Sequence, residues 1–257
     1  MKTIRYATVL GGLAILVLAF GFIFQAPFAT RLWPWPDGRL SYLFIGSILA
    51  AVSAAAFWIG WTGELGALPA GSLNILVISL TAGFYFFQLA SRDDRPGMIP
   101  FGVAMALMAV VSGASFLWSR RIPLADARPT PALVRVSFGI FVASLIFAGV
   151  ALIFRVPIFP WKLNPDSSVI FGCIFLGDAF YFIHGLLRPS WHNALGQLLS
   201  FLAYDLVLIV PFLSLFKTVE PAHFIGLVVY VAVLVYSGLL AVYFLFVNSQ
   251  TRFAAKA

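Results

Sequence analysis

Eight runs of about twenty apolar residues follow one another along this chain, at roughly 6–26, 41–61, 71–90, 98–118, 135–155, 168–187, 195–216 and 224–247. Nothing else in the sequence restricts the fold as much. An α-helix rises 1.5 Å per residue, so each run is long enough to cross ~30 Å of hydrocarbon. The runs are continuous and do not alternate, which disfavours the strands of a barrel. A helix also satisfies its own backbone in lipid. The chain therefore reads as an all-α integral membrane protein, multi-pass, with eight transmembrane helices and the lipid bilayer as its first partner. Composition agrees: 62% of residues are hydrophobic and 10% are charged, against about 45–50% and about 25% in soluble domains. No polar stretch is long enough to form a separate soluble domain, which argues against a receptor with its own output module.

Lys2 and Arg5 precede the first run, Tyr6 to Phe24. A signal-peptide core is ~7–15 residues, so this longer run is expected to be a retained first span. Cys173 is the only cysteine and cannot form an intrachain disulfide, so it says nothing about redox compartment. The net charge of +7 is spread over loop ends, where it suits orientation and headgroup contact. There is no basic stripe that would suggest nucleic acid.

The chain reads further as an internal duplication. A shift of 126 residues brings Pro34-Trp35 onto Pro160-Trp161, Ser41 onto Ser167, Gly46 onto Gly172 and Ile48 onto Ile174. The spans then align one to one. The expected units are residues 1–126 and 127–257, meeting in the longest internal linker, Ser119 to Val134. Four spans per half is an even number, so both halves enter from the same side. This predicts two parallel four-helix repeats about an axis along the membrane normal. The side holding both termini carries nine Lys and Arg against seven on the other, so the termini are expected in the cytoplasm.

Two loops, 27–40 and 156–167, hold Trp33, Trp35 and Trp161 among prolines. Tryptophan favours the headgroup layer, so the loops are expected to act as interfacial anchors, with lids over a cavity as the alternative. In the second span Gly46, Ala50 and Ala54 recur every four residues, as do Ser47, Ala51 and Ala55. Such ladders predict close helix packing. The matching part of the sixth span carries Leu176, Asp178, Phe180 and Tyr181 instead.

Asp178 and Asp205 are the two carboxylates deep within spans. Each costs ~2.5–3.5 kcal/mol on insertion scales, so each is expected to have a partner or a purpose. Asp178 lies thirteen residues before Trp191, the turn of the hairpin, and Asp205 lies fourteen after it. On adjacent antiparallel helices they would share one depth, meet, and hold one proton between them. Such a pair suits proton-coupled transport or acid–base chemistry. The structural alternative is hydrogen bonding to Tyr181, Tyr204, Asn74 or Gln197. His184 is six residues after Asp178, about 240° around a helix, so the two do not share a face. The candidate substrate or proton-binding residues are Asp178, Asp205, His184, Tyr181 and Tyr204. No catalytic residue is identified.

No cofactor and no metal site is expected. His184, His192 and His223 do not offer a haem two axial ligands at one depth. One cysteine and four methionines give no zinc or copper cluster. No lysine lies inside a span to hold a retinal, and there is no phosphate loop or serine elbow.

Gly177-Asp178 followed by His184, with an aspartate in a later span, is similar to a pattern in eight-helix lysoplasmalogenase-like membrane hydrolases. The basic-proline motif expected early in that family is absent and the spacing differs, so no family is assigned. Three functions are consistent with the residues. The first is a small-solute or proton-coupled carrier working between the two halves. The second is a non-catalytic subunit bound to a membrane-protein partner. The third is a membrane-embedded lipid-modifying enzyme with Asp178 and Asp205 as acid and base. A carrier calls for a central cavity reaching an aspartate, a subunit for a filled interior, and an enzyme for a lateral opening.

Overall fold

The computed structural model describes residues 2–253. Its helices are α1 (Lys2–Ile23), α2 (Pro27–Thr30), α3 (Arg39–Thr62), α4 (Leu68–Arg92), α5 (Ile99–Ser119), α6 (Ala132–Ile153), α7 (Pro165–Leu187), α8 (Trp191–Leu215) and α9 (Phe224–Val242). α2 is a single turn. The other eight, with their flanking short turns, are each long and apolar enough to cross a membrane, and the chain is a multi-pass membrane protein. Among the described residues the only extended pairing is one bridge, Pro129 to Ser190.

Local chemistry sets the helix ends. Proline opens α2, α4, α5 and α7, where its missing N–H costs nothing. Asn164 caps α7 by accepting from the backbone N–H of Asp166. Gly63 ends α3 at φ 81°, a conformation that glycine adopts without strain.

Packing follows a simple scheme. α1 packs on α3, α4 on α5, α6 on α7 and α8 on α9, and the pairs are joined by α3 against α8 and α4 against α7. α3 and α4 scarcely touch. α7 and α8 are neighbours beside their turn, where Gln197 Nε2 donates to the Tyr181 carbonyl oxygen, Tyr181 meets Ser200 and Phe182 stacks on Phe201 with ring centres 4.6 Å apart. Further from the turn the two helices part, and the expectation of contact between them at mid-span is corrected. There α7 turns its closest-approach face elsewhere. On α7, a Cβ on Gly172 would sit 2.6 Å from the Gly149 carbonyl oxygen of α6, and one on Gly177 would sit 2.8 Å from the Asn74 carbonyl oxygen of α4. Backbones this close give dispersion contact that a short turn alone does not supply.

The tryptophans of the two loops pack into the bundle. Trp35 is buried and stacks on Phe86 with ring centres 5.8 Å apart. Trp161 donates to Ser41 Oγ at 3.1 Å and packs edge-on against Phe159 and Phe212. Both loops lie at the end of the bundle remote from the chain termini. The ladder of α3 also divides its work. Gly46 packs against α1, whereas Ala51 and Ala55 border open space, so close packing is not their role.

Candidate functional site: a central chamber and two buried acids

Where α3 parts from α4, and α7 from α8 beyond their turn, lies a half-open chamber of about 990 Å³. Small side chains make the room, with Ala51 and Ala55 on α3 and Gly71 and Ser72 on α4. The rest of the wall is mainly aliphatic and aromatic, drawn from α3 to α9. Its polar centre is Asp178, the one carboxylate on the wall. Asn74 Nδ2 donates to Asp178 Oδ1 at 2.8 Å across the α4–α7 seam. Gly177 permits this: an added Cβ would lie 2.8 Å from Asn74 Oδ1 and 2.4 Å from Ile78. Asn74 Oδ1 is buried without a hydrogen-bond partner. The second oxygen of Asp178 has no protein donor among the described residues, and the side chain is only partly buried by its neighbours. A carboxylate with spare accepting capacity at a largely apolar space can receive a ligand donor or a cation.

Tyr204 of α8 and Tyr230 of α9 join hydroxyl to hydroxyl on the same wall. Tyr181 also lines it, its hydroxyl 3.2 Å from Ser200 Oγ. Of the residues singled out from sequence, the chamber thus brings together Asp178, Tyr181 and Tyr204. It does not include Asp205 or His184. Asp205 is 4% exposed and is held by Ser237 Oγ of α9, at 3.0 and 2.9 Å from its two oxygens. Ser237 Oγ is also 2.7 Å from the Val233 carbonyl oxygen, and its single proton serves both. Equal depth along a hairpin does not bring the two acids onto a common partner, because α7 faces α4 and α8 faces α9. His184 lies by the turn, with Nδ1 3.3 Å from Asn193 Nδ2, and packs edge-on to Phe116.

Polar networks that sequence reading did not identify tie the helices together at both ends of the bundle. At the end remote from the termini, Asp37 accepts from Trp33 Nε1 at 2.7 Å, from Ser41 at 3.3 Å and from Ser167. Nearby, Asp166 accepts from Tyr85 at 2.7 Å and pairs with Arg95 at 2.6 Å and Arg155 at 3.6 Å. That pairing holds the Arg95 guanidinium above its ordinary pKa. At the terminus end, buried Glu64 bonds His192 Nδ1 and accepts from the Ala125 backbone N–H at 3.2 Å. Asp126 takes a fork from Arg128, with Nε at 2.9 Å from both oxygens. The Arg128 hydrogen bonds hold the Asp126 carboxyl below the usual carboxylate range. The sequence clue to these latches was only a few acidic residues at span ends, which resemble ordinary solvated loop charges.

Comparison with family models, with curated proteins and with solved structures gives no match for this chain.

Proposed function

We propose that this protein is a carrier for a small solute, which binds in the chamber between the two halves with Asp178 as its polar anchor. The observation that carries this reading is an in-membrane carboxylate, braced by Asn74, on the wall of a half-open chamber of about 990 Å³. Intramembrane acids usually mark substrate or proton paths, and a cavity of this size is in the range of small-molecule sites. A proton on Asp178 is the natural coupling ion, since among the described residues it is the one carboxylate on the wall. A purely structural subunit has no need of such a space. A two-acid enzyme is disfavoured because Asp205 is sealed off on Ser237.

The two-repeat arrangement belongs to this reading. The packing scheme maps onto itself when α1, α3, α4 and α5 are exchanged for α6, α7, α8 and α9. Gly46 rests on Ala19 and Ile23 as Gly172 rests on Gly149 and Ile153. The polar bias of the second half then places the anchor on one side of the pseudo-axis. Cytoplasmic termini follow from the excess of Lys and Arg on that side. A reporter fused after Ala257 checks the orientation.

Dicyclohexylcarbodiimide, an apolar reagent that modifies carboxyls reachable from the membrane, tests the site. Peptide mass spectrometry should find it on Asp178 and not on Asp205. Asp178→Asn should remain folded and inserted but lose solute-dependent thermal stabilisation across a panel of small amines. Equal labelling of both acids, or of neither, defeats the anchor assignment.

A further inference from the structure

Resting on the carrier reading, we propose that the solute is a single-chain membrane amphiphile with a cationic head, and that it moves between leaflets through two mouths in the sides of the bundle. Packing closes the middle of each end of the bundle, and at the remote end the chamber reaches the surface only at its α6–α9 side, where Pro157, Ala222 and His223 line it. The middle of the remote end holds the Asp37 network and packed rings of Phe44, Phe159, Phe171 and Phe175. At the terminus end Trp191 and Gln197 are buried, and Gln197 Nε2 donates to the Tyr181 carbonyl.

The flanks differ. α6 and α9 meet towards the terminus end, where Ser137 Oγ lies 2.7 Å from Tyr236 OH. Beyond that contact they part. Phe147 of α6 and Ile225 and Val229 of α9 then border the chamber while standing 71%, 76% and 58% exposed on the outer surface. This mouth lies in the half of the bundle remote from the termini. The second lies between α3 and α5, which make no extended packing. There Ala55 and Val111 both line the chamber, and Val111 is 63% exposed. α5 runs towards the terminus end, and Val111 is past its midpoint. The two mouths therefore open on different flanks and at different depths, with Asp178 and Asn74 between them.

The chemistry of the path selects the cargo. Both mouths are rimmed mainly by aliphatic and aromatic side chains, with His223 the polar group where the α6–α9 mouth reaches the helix ends, and a hydrated polar solute would pass inward only by losing its water. An alkyl chain enters without that penalty. A cationic head would be costly in the same space, and the Asp178 carboxylate is placed to offset that cost midway.

The test uses a dodecyl amphiphile with a quaternary ammonium head, tagged with a dithionite-quenchable nitrobenzoxadiazole group, in phosphatidylcholine vesicles containing the protein. Cysteine pairs at Phe147 and Val229, or at Ala55 and Val111, are introduced in a Cys173→Ser background and joined by a reducible bifunctional methanethiosulfonate. The unlocked protein should make the inner-leaflet probe accessible to dithionite. Locking either mouth should return transfer to the protein-free rate, and reduction should restore it, which separates blockage from misfolding. Fluorescence anisotropy should show that probe binding survives either single lock and is lost only when both are closed. Transfer that persists with one mouth locked overturns the two-mouth path. If the unlocked protein moves no probe while carbodiimide still marks Asp178, the amphiphile assignment fails and the carrier reading stands. If Asp178 is also unmarked, the carrier reading fails with it.

Discussion

The α4–α7 and α8–α9 seams each bury one aspartate in mid-span, yet they leave the two acids in opposite situations. Asp178 is braced by one amide and opens onto a chamber. Asp205 is covered and held by a serine whose proton is already shared with a backbone carbonyl. The difference lies in the glycine beside each acid. Gly177 lets α4 come so close that Asn74 is wedged against the α7 backbone, whereas a Cβ on Gly238 would meet Asp205 Oδ2 at an ordinary 3.5 Å. A buried carboxyl is therefore not by itself a site. It becomes a candidate when packing leaves part of its hydrogen-bonding capacity facing space that a ligand can fill.

The largest way to break this comparison is Gly177→Ala. Its Cβ must push Ile78 and Asn74 aside, which is overpacking worth about 1–3 kcal/mol. It should also displace the amide from Asp178. A lower melting temperature in detergent together with weaker carbodiimide labelling of Asp178 is expected. An unchanged seam would show that the close approach does not position the acid.

Ser237→Ala comes next. It leaves the Asp205 carboxyl buried without a donor, a loss of about 1–2 kcal/mol, and should lower the melting temperature without altering labelling at Asp178. A change at Asp178 would mean the two seams are coupled after all.

Acid provides a smaller and separable effect at the terminus-end latch. The folded pKa of Asp126 is depressed by Arg128, so its contribution to stability is present above the ordinary carboxyl pKa. It is lost as pH falls from there through the depressed value, below about pH 4. Asp126→Asn should remove that part of the acid-side slope in a melting series while both seams keep their contrast.

The smallest effect is expected from Gly238→Ala. With no clash to oppose it, the gain in helix propensity should leave stability unchanged or raise it by up to about 1 kcal/mol. A clear loss would show that the α8–α9 seam is as tight as its counterpart.

Much of the architecture was legible because hydrophobic length is a local property. Each span can be read from twenty consecutive residues, and the structure places its eight long helices within a few residues of those runs. The partnership of Asp178 with Asn74 is legible in the sequence as one of a few, since an amide in mid-span has few other uses. Hairpin connectivity does not extend to contact at mid-span. A short turn holds α7 and α8 together beside it, where Gly185 lies against Gln197, but lateral packing decides which faces meet further along, and Gly172 and Gly177 turn α7 towards α6 and α4. Ala51 and Ala55 misled for a related reason: a small side chain permits either close approach or empty space, and only the position of the neighbouring helix chooses between them.

The sequence by itself determined that this chain has eight helices long and apolar enough to cross a membrane, and that two of them carry a costly acid. Those conclusions need only transfer energies and the rise of a helix. The tertiary structure alone decided that one acid faces a chamber and the other does not, that the loop tryptophans pack inward at the end remote from the termini, and that Glu64, His192 and Asp126 gather at the opposite end. These depend on contacts between residues far apart in the chain, where the relative rotation of two helices counts and the order of residues along either one does not fix it.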